Sequence, residues 1–99
     1  MKVVINRSYA GFSLSKKAGE YLNWKYNINV THCDDYRCYI IDDLARNDPR
    51  LIDCVETLGE SANGFLANLK IVEIPDNVEW EIYNPDGMEI IEEKHRSWY

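Results

Sequence analysis

Val78-Glu79-Trp80-Glu81-Ile82-Tyr83-Asn84-Pro85-Asp86-Gly87-Met88-Glu89-Ile90-Ile91-Glu92-Glu93 decides the fold. Val78, Trp80 and Ile82 alternate with Glu79, Glu81 and Tyr83, the period of a strand with one face in the core and one in water. Asn84-Pro85-Asp86-Gly87 follows as a type I turn, with Pro at its second position and Gly at its fourth. Met88 to Glu93 is the returning strand. The stretch reads as a β-hairpin, so the sheet it joins is antiparallel. A short tail, Lys94-His95-Arg96-Ser97-Trp98-Tyr99, comes after it.

Upstream, Phe65 to Ile74 is strand-like, with Lys70, Val72 and Ile74 alternating against Leu69, Ile71 and Glu73; Asn63-Gly64 marks a turn before it and Pro75 ends it. Before that lies a helix. Asp48 caps it, Pro49 fills the first helical position where its missing N–H costs nothing, and Gly59 stands just past the end. Leu51, Ile52, Val55 and Leu58 form its apolar stripe. Further back, Tyr39-Ile40-Ile41 is a short strand between the acidic pairs Asp34-Asp35 and Asp42-Asp43. Tyr26, Ile28 and Val30 alternate with Asn27, Asn29 and Thr31 as a half-buried strand. A helix from Lys16 to about Trp24 has Ser13 and Ser15 as alternative caps, and Gly19 inside it costs about 1 kcal/mol relative to Ala. Lys2 to Arg7, with β-branched Val3, Val4 and Ile5, is the first strand. The expectation is an α+β fold: one small domain over residues 1–99, an antiparallel sheet of four to six strands and two helices.

The chain has 99 residues, 45% hydrophobic and 28% charged, the balance of a globular domain. Its net charge of −6 argues against a protein that coats long nucleic acid or an anionic membrane, because those partners are bound by surplus Lys and Arg. The charge is uneven: residues 1–26 carry +4 and the remainder −10. The basic opening leaves room for a small anionic ligand. No apolar run reaches the roughly 18–20 residues of a membrane span, and the one in Met1–Arg7 is too short for a signal-peptide core. Cys33, Cys38 and Cys54 match no disulfide framework, so three reduced thiols in a cytoplasmic protein are expected. Twelve aromatics are more than so small a core can bury, which places some at a ligand pocket or an oligomer interface.

Three constellations bear on chemistry. In the tail, Arg96 can fork onto a phosphate with His95 as a second donor and Trp98 as a stacking surface; the alternative is a frayed terminus anchored by its Trp. Arg7-Ser8-Tyr9-Ala10-Gly11-Phe12-Ser13 leads into a capped helix and offers Arg7, ring faces from Tyr9 and Phe12, and backbone N–H groups; the alternative is an ordinary strand–helix turn. Arg46 and Arg50 flank the start of the second helix, where they either pair with Asp42, Asp43 and Asp53 or face a ligand. Cys33-x4-Cys38 lacks a second pair for zinc, the acidic pairs do not follow a calcium loop, and no serine or cysteine sits in a triad context. No catalytic residue, metal or cofactor is expected.

Met1-Lys2-Val3-Val4-Ile5-Asn6 with Tyr9-Ala10-Gly11-Phe12-Ser13-Leu14-Ser15, then Arg46-Asn47-Asp48-Pro49-Arg50-Leu51-Ile52, Leu69-Lys70-Ile71-Val72-Glu73-Ile74-Pro75-Asp76 and Glu93-Lys94-His95-Arg96-Ser97-Trp98, together resemble a family of small proteins encoded by phages and prophages. The resemblance implies an accessory protein that counters host defence in the cytoplasm of an infected bacterium. One strategy of such proteins is a non-enzymatic, oligomeric sponge that sequesters a cyclic di- or trinucleotide immune signal, as in anti-CBASS proteins. The expected ligand contacts are Arg7, Arg46, Arg50, His95 and Arg96 for phosphates and Tyr9, Phe12 and Trp98 for bases, in a pocket shared across a homodimer or higher oligomer. A protein–protein inhibitor whose acidic face mimics nucleic acid is the alternative, and a small enzyme acting on nucleotides a third.

Overall fold

A computed structural model describes residues 1–9, 11–33, 38–40 and 44–93. The elements run β1 (Lys2–Asn6), α1 (Lys16–Tyr26), β2 (Val30–Cys33), β3 (Cys38–Ile40), α2 (Pro49–Leu58), a 3-10 turn (Gly59–Ala62), β4 (Leu69–Glu73), β5 (Trp80–Tyr83) and β6 (Ile90–Glu93). The α+β class and two α-helices are as expected. The single sheet is not. Among the described residues the strands pair antiparallel in three separate two-stranded ladders, β1–β4, β2–β3 and β5–β6. The reason lies at the outer edge of β1, which is taken up by two isolated residues, Arg46 and Glu89, instead of a further strand.

β1 is the central element. Val3 to Asn6 are all buried, so both of its faces are covered and its β-branched run carries no polar alternation. It pairs with β4 in the register Val3↔Val72, Val4↔Ile71, Ile5↔Lys70 and Asn6↔Leu69. Val4 and Leu69 join Leu14, Ala18, Leu22, Ile28, Leu51, Cys54, Val55 and Ala62 in one apolar core: α2 packs on the β1–β4 ladder, and α1 packs against α2 and the β2–β3 ladder. Burial of the apolar stripe, at roughly 1.5–3 kcal/mol per large aliphatic side chain, is what holds these short helices.

The signals that closed α2 act locally and place it as expected. Asp48 Oδ1 accepts from Arg50 N at 2.9 Å, Pro49 opens the helix, and Gly59 closes it at φ 57°. At α1 the cap is Ser15, whose Oγ accepts from Ala18 N at 3.1 Å and donates to Ser61 O; Ser13 caps nothing. α1 runs two residues past Trp24. Tyr26, expected to open a strand, ends this helix instead, and Asn27 turns the chain out in the left-handed region at φ 55°. The strand expected from residue 26 begins at Val30, and the one expected over Tyr39–Ile41 is β3, with Ile41 outside the described residues.

Phe65 to Asn68 are not strand. Ala67 N donates to Gly64 O at 3.0 Å and Leu66 holds φ 61°, a turn of type II form with an apolar residue where Gly is usual. The hairpin forms with Ile82 opposite Ile91 and Tyr83 opposite Ile90, but its loop takes in Asn84 to Glu89, so Met88 and Glu89 do not belong to β6. Gly87 N is held by the Asn84 side chain at 2.6 Å. Among the described residues no helix is long and apolar enough to cross a membrane.

Candidate functional site

The strand-to-loop exit of β1 brings three of the expected site residues together. Along β1, alternate N–H and C=O groups point away from β4, and at Val4 and Asn6 these outward groups are all met. Val4 N donates to Arg46 O at 2.8 Å, and Arg46 Nη1 returns to Val4 O at 3.4 Å. Asn6 N donates to Glu89 Oε1 at 2.8 Å, and Glu89 N to Asn6 O at 2.7 Å. The Arg46 guanidinium then forks onto the Glu89 carboxylate, with Nη1 2.5 Å from Oε1 and Nη2 2.9 Å from Oε2. Its plane lies over the Phe12 ring, Cζ 3.7 Å from the centroid. Arg7 Nη1 donates to Glu89 O at 2.9 Å. Arg7, Phe12 and Arg46 therefore converge, and the residue on which the two arginines meet is Glu89.

Glu89 is 3% exposed. A buried carboxylate is tolerated only when paired and hydrogen-bonded, and here three N–H donors meet its two oxygens. Asn6, fully buried, fixes the surrounding backbone. Its Nδ2 donates to Ser8 O at 2.8 Å and to Gly87 O at 3.0 Å, and its Oδ1 accepts from Asn68 N at 2.9 Å and Ser8 Oγ at 3.2 Å. An amide side chain can make about four such bonds, and Asn6 makes them all. Gly87 is required beside it: its φ is +100°, and a Cβ there would lie 2.3 Å from Tyr9 O. Tyr9, whose backbone lies beside Gly87, is 69% exposed.

The other expected residues fall elsewhere. Arg50 is bound to Asp48, with Nε 3.1 Å from Oδ1 and Nη2 2.8 Å from Oδ2, and holds that carboxyl below the usual carboxylate range. Asp53, expected as an acid for Arg46 or Arg50, takes neither of them as its ion-pair partner, and Asp42 and Asp43 lie outside the described residues. His95, Arg96 and Trp98 also lie outside them. Of the backbone donors expected for a phosphate ahead of α1, Ser15 N is used internally, donating to Ala62 O at 2.9 Å.

The sequence reading missed a second cluster, at the seam of the two helices. Asp53 Oδ2 accepts from Lys25 Nζ at 2.8 Å, Tyr26 Oη at 2.6 Å and Tyr21 Oη at 2.8 Å, while Oδ1 accepts from Thr57 at 3.2 Å. Lys25 first, then the two phenols, hold the Asp53 carboxyl far below its ordinary value, and Asp53 in turn raises Lys25 and Tyr26. These shifts favour the carboxylate of Asp53, the ammonium of Lys25 and the phenol of Tyr26, the forms that hold the hydrogen bonds, so the cluster clamps α1 to α2. Tyr21 and Lys25, at i and i+4, were the available signal. Among the described residues no three His, Cys, Asp or Glu side chains come together to hold a metal.

The β5–β6 hairpin carries a third feature: Glu81 lies directly opposite Glu92, on the face that also carries Tyr83 and Ile90, both exposed. Comparison of the chain with protein-family models, with curated proteins and with solved structures found no match.

Proposed function

We propose that the chain is a non-catalytic binding protein for a small phosphate-bearing ligand with aromatic bases, of the cyclic di- or trinucleotide class, and that it acts as a sponge: a phage or prophage anti-defence protein that sequesters such a signal in the cytoplasm of its host. The observation that carries this reading is the meeting of Arg7 and Arg46 on one residue, with Arg46 stacked on Phe12 and Tyr9, two residues after Arg7, exposed. Guanidinium forks suit phosphate, and exposed rings suit a base. Sequestration needs neither a base nor a nucleophile. A second copy of the chain would help to bury the ligand, with exposed aromatics such as Tyr9 and Trp24 as available surface. The test is a panel of cyclic di- and trinucleotides scored by thermal shift and calorimetry, followed by denaturation of the complex. Intact ligand recovered from the denatured protein supports the sponge. Absence of any binding removes it, and recovery of a cleaved product makes the chain an enzyme.

The hairpin supports a second reading. Like charges set opposite one another destabilise a two-stranded ladder, so the Glu81–Glu92 pair is a cost that a basic partner would offset. On this reading the chain is an acidic inhibitor that mimics nucleic acid toward a host defence enzyme. It predicts co-purification of a basic protein, released by high salt and by Glu81→Lys.

A further inference from the structure

The proposed function leaves one conflict: the arginine best placed for a phosphate already holds a carboxylate. We infer that the Glu89 carboxylate is the resident occupant of an anion cradle made by the Arg46 fork and the Asn6 N–H, and that a phosphate group enters by displacing it. The inference rests on the proposed function only in taking phosphate as the incoming anion.

Two features favour an exchangeable occupant over a fixed one. The first is how Glu89 is tethered. Its backbone is held independently of its carboxylate, by Glu89 N to Asn6 O and by Arg7 Nη1 to Glu89 O. The side chain can therefore turn out of the cradle while the loop from Asn84 to Glu89 keeps its place. Carboxylate and phosphate present two oxygens to a guanidinium in the same fork, so the donors that receive one receive the other without rearrangement. The second feature is charge. Two guanidiniums meet at one residue that carries a single negative charge: Arg46 forks onto the Glu89 carboxylate, while Arg7 reaches the Glu89 backbone carbonyl and has no carboxylate partner among the described residues. The cradle keeps one positive charge that Glu89 does not neutralise, and a dianionic phosphate would neutralise both. The Arg46 side chain is 24% exposed, which gives the incoming group a side to approach from.

Displacement makes Glu89 an autoinhibitory contact: binding is weaker than the donors alone would give, by the strength of the internal pair. Removing its charge while keeping its shape should then strengthen the site. The probe is pyrophosphate, titrated calorimetrically into the wild-type chain, Glu89→Gln, and the double variant Arg46→Gln/Glu89→Gln. The expected result is binding to Glu89→Gln tighter than to wild type by about tenfold or more, lost again in the double variant. Should Glu89→Gln fold poorly, the wild-type chain decides by its Asn6 amide resonance, which moves on saturation with pyrophosphate if the carboxylate has been displaced. Equal binding by wild type and Glu89→Gln, or an Asn6 amide that stays in place, overturns the inference. A chain that takes a cyclic nucleotide yet shows no such difference keeps the proposed function and loses the cradle. A gain with pyrophosphate but no cyclic nucleotide bound does the reverse.

Discussion

Arg46 and Glu89 are 43 residues apart in sequence and close a forked ion pair of 2.5 and 2.9 Å against the free edge of β1. The pair stands where a third strand would otherwise pair, and it fastens the loop before β6 to the body of the protein. Removing one partner leaves the other charge desolvated. Glu89→Ala should lower the unfolding free energy by about 3 kcal/mol or more in urea titration. Replacing both, Arg46→Met with Glu89→Leu, should recover most of that loss. It should stop about 1–2 kcal/mol short of wild type, because Asn6 N–H then has no acceptor.

The Asp53 cluster sets the pH dependence. Its carboxyl is held below the ordinary 3.8 by Lys25 first and by Tyr26 and Tyr21 after it. A depressed acid contributes stability that is full above its unfolded value and is lost as the pH falls through the folded one. Lys25 is raised above 10.5 by Asp53 and Tyr21, so its contribution is full below 10.5 and is lost as the pH climbs through the folded value. Stability measured by urea unfolding should therefore decline at both extremes. Asp53→Asn should flatten both limbs, and an unchanged acid limb in that variant would contradict the assignment.

Ser13 and Gly64 form a crowded contact beneath the start of α1. A Cβ at Gly64 would fall 2.7 Å from Ser13 Cβ and 2.8 Å from its carbonyl carbon, so Gly64→Ala should cost about 2 kcal/mol or more, with backbone rather than a flexible tip to push aside. The buried Ser13 Oγ has no hydrogen-bond partner among the described residues. Ser13→Ala should raise stability by about 1 kcal/mol, since it removes an unpaired hydroxyl and little else. Thermal melts of the two single variants, shifted in opposite directions, check both statements.

Cys54 is fully buried between the helices, and its Sγ donates to Ala18 O at 3.7 Å. Burial pushes the thiol up to about 12, with the Asp53 charge adding to the effect. The thiolate is the reactive form, so Cys54 should resist iodoacetamide in the native protein and react at a rate that follows unfolding. Peptide mapping by mass spectrometry after timed exposure measures this directly.

How much of this was legible in the chain depended on how far each signal had to reach. α2 was read at both ends because Asp48, Pro49 and Gly59 act within a turn of the helix they bound. The alternation through Tyr26, Ile28 and Val30 suggested a strand from Tyr26 onward. That tyrosine serves the helix instead, because its hydroxyl finds Asp53 on the neighbouring helix. Leu66 hides a turn, since nothing in its type announces a positive φ. At the site, Arg7, Phe12 and Arg46 were recognisable by residue type. Glu89 was not. Charge alone does not separate it from Glu92 and Glu93, and its partners lie at the opposite end of the chain and in the middle of it.

The contact from Asn6 to Glu89 spans 83 positions. Glu89 is synthesised 83 residues after Asn6, so the edge of β1 at Asn6 stays unpaired in the growing chain until the hairpin has been made. Closing so long a loop is slow relative to pairing neighbours, which makes this contact a late event in folding. Until it forms, the edge of β1 is open to pairing with another copy, and Arg46 and Glu89 are the residues that end that exposure.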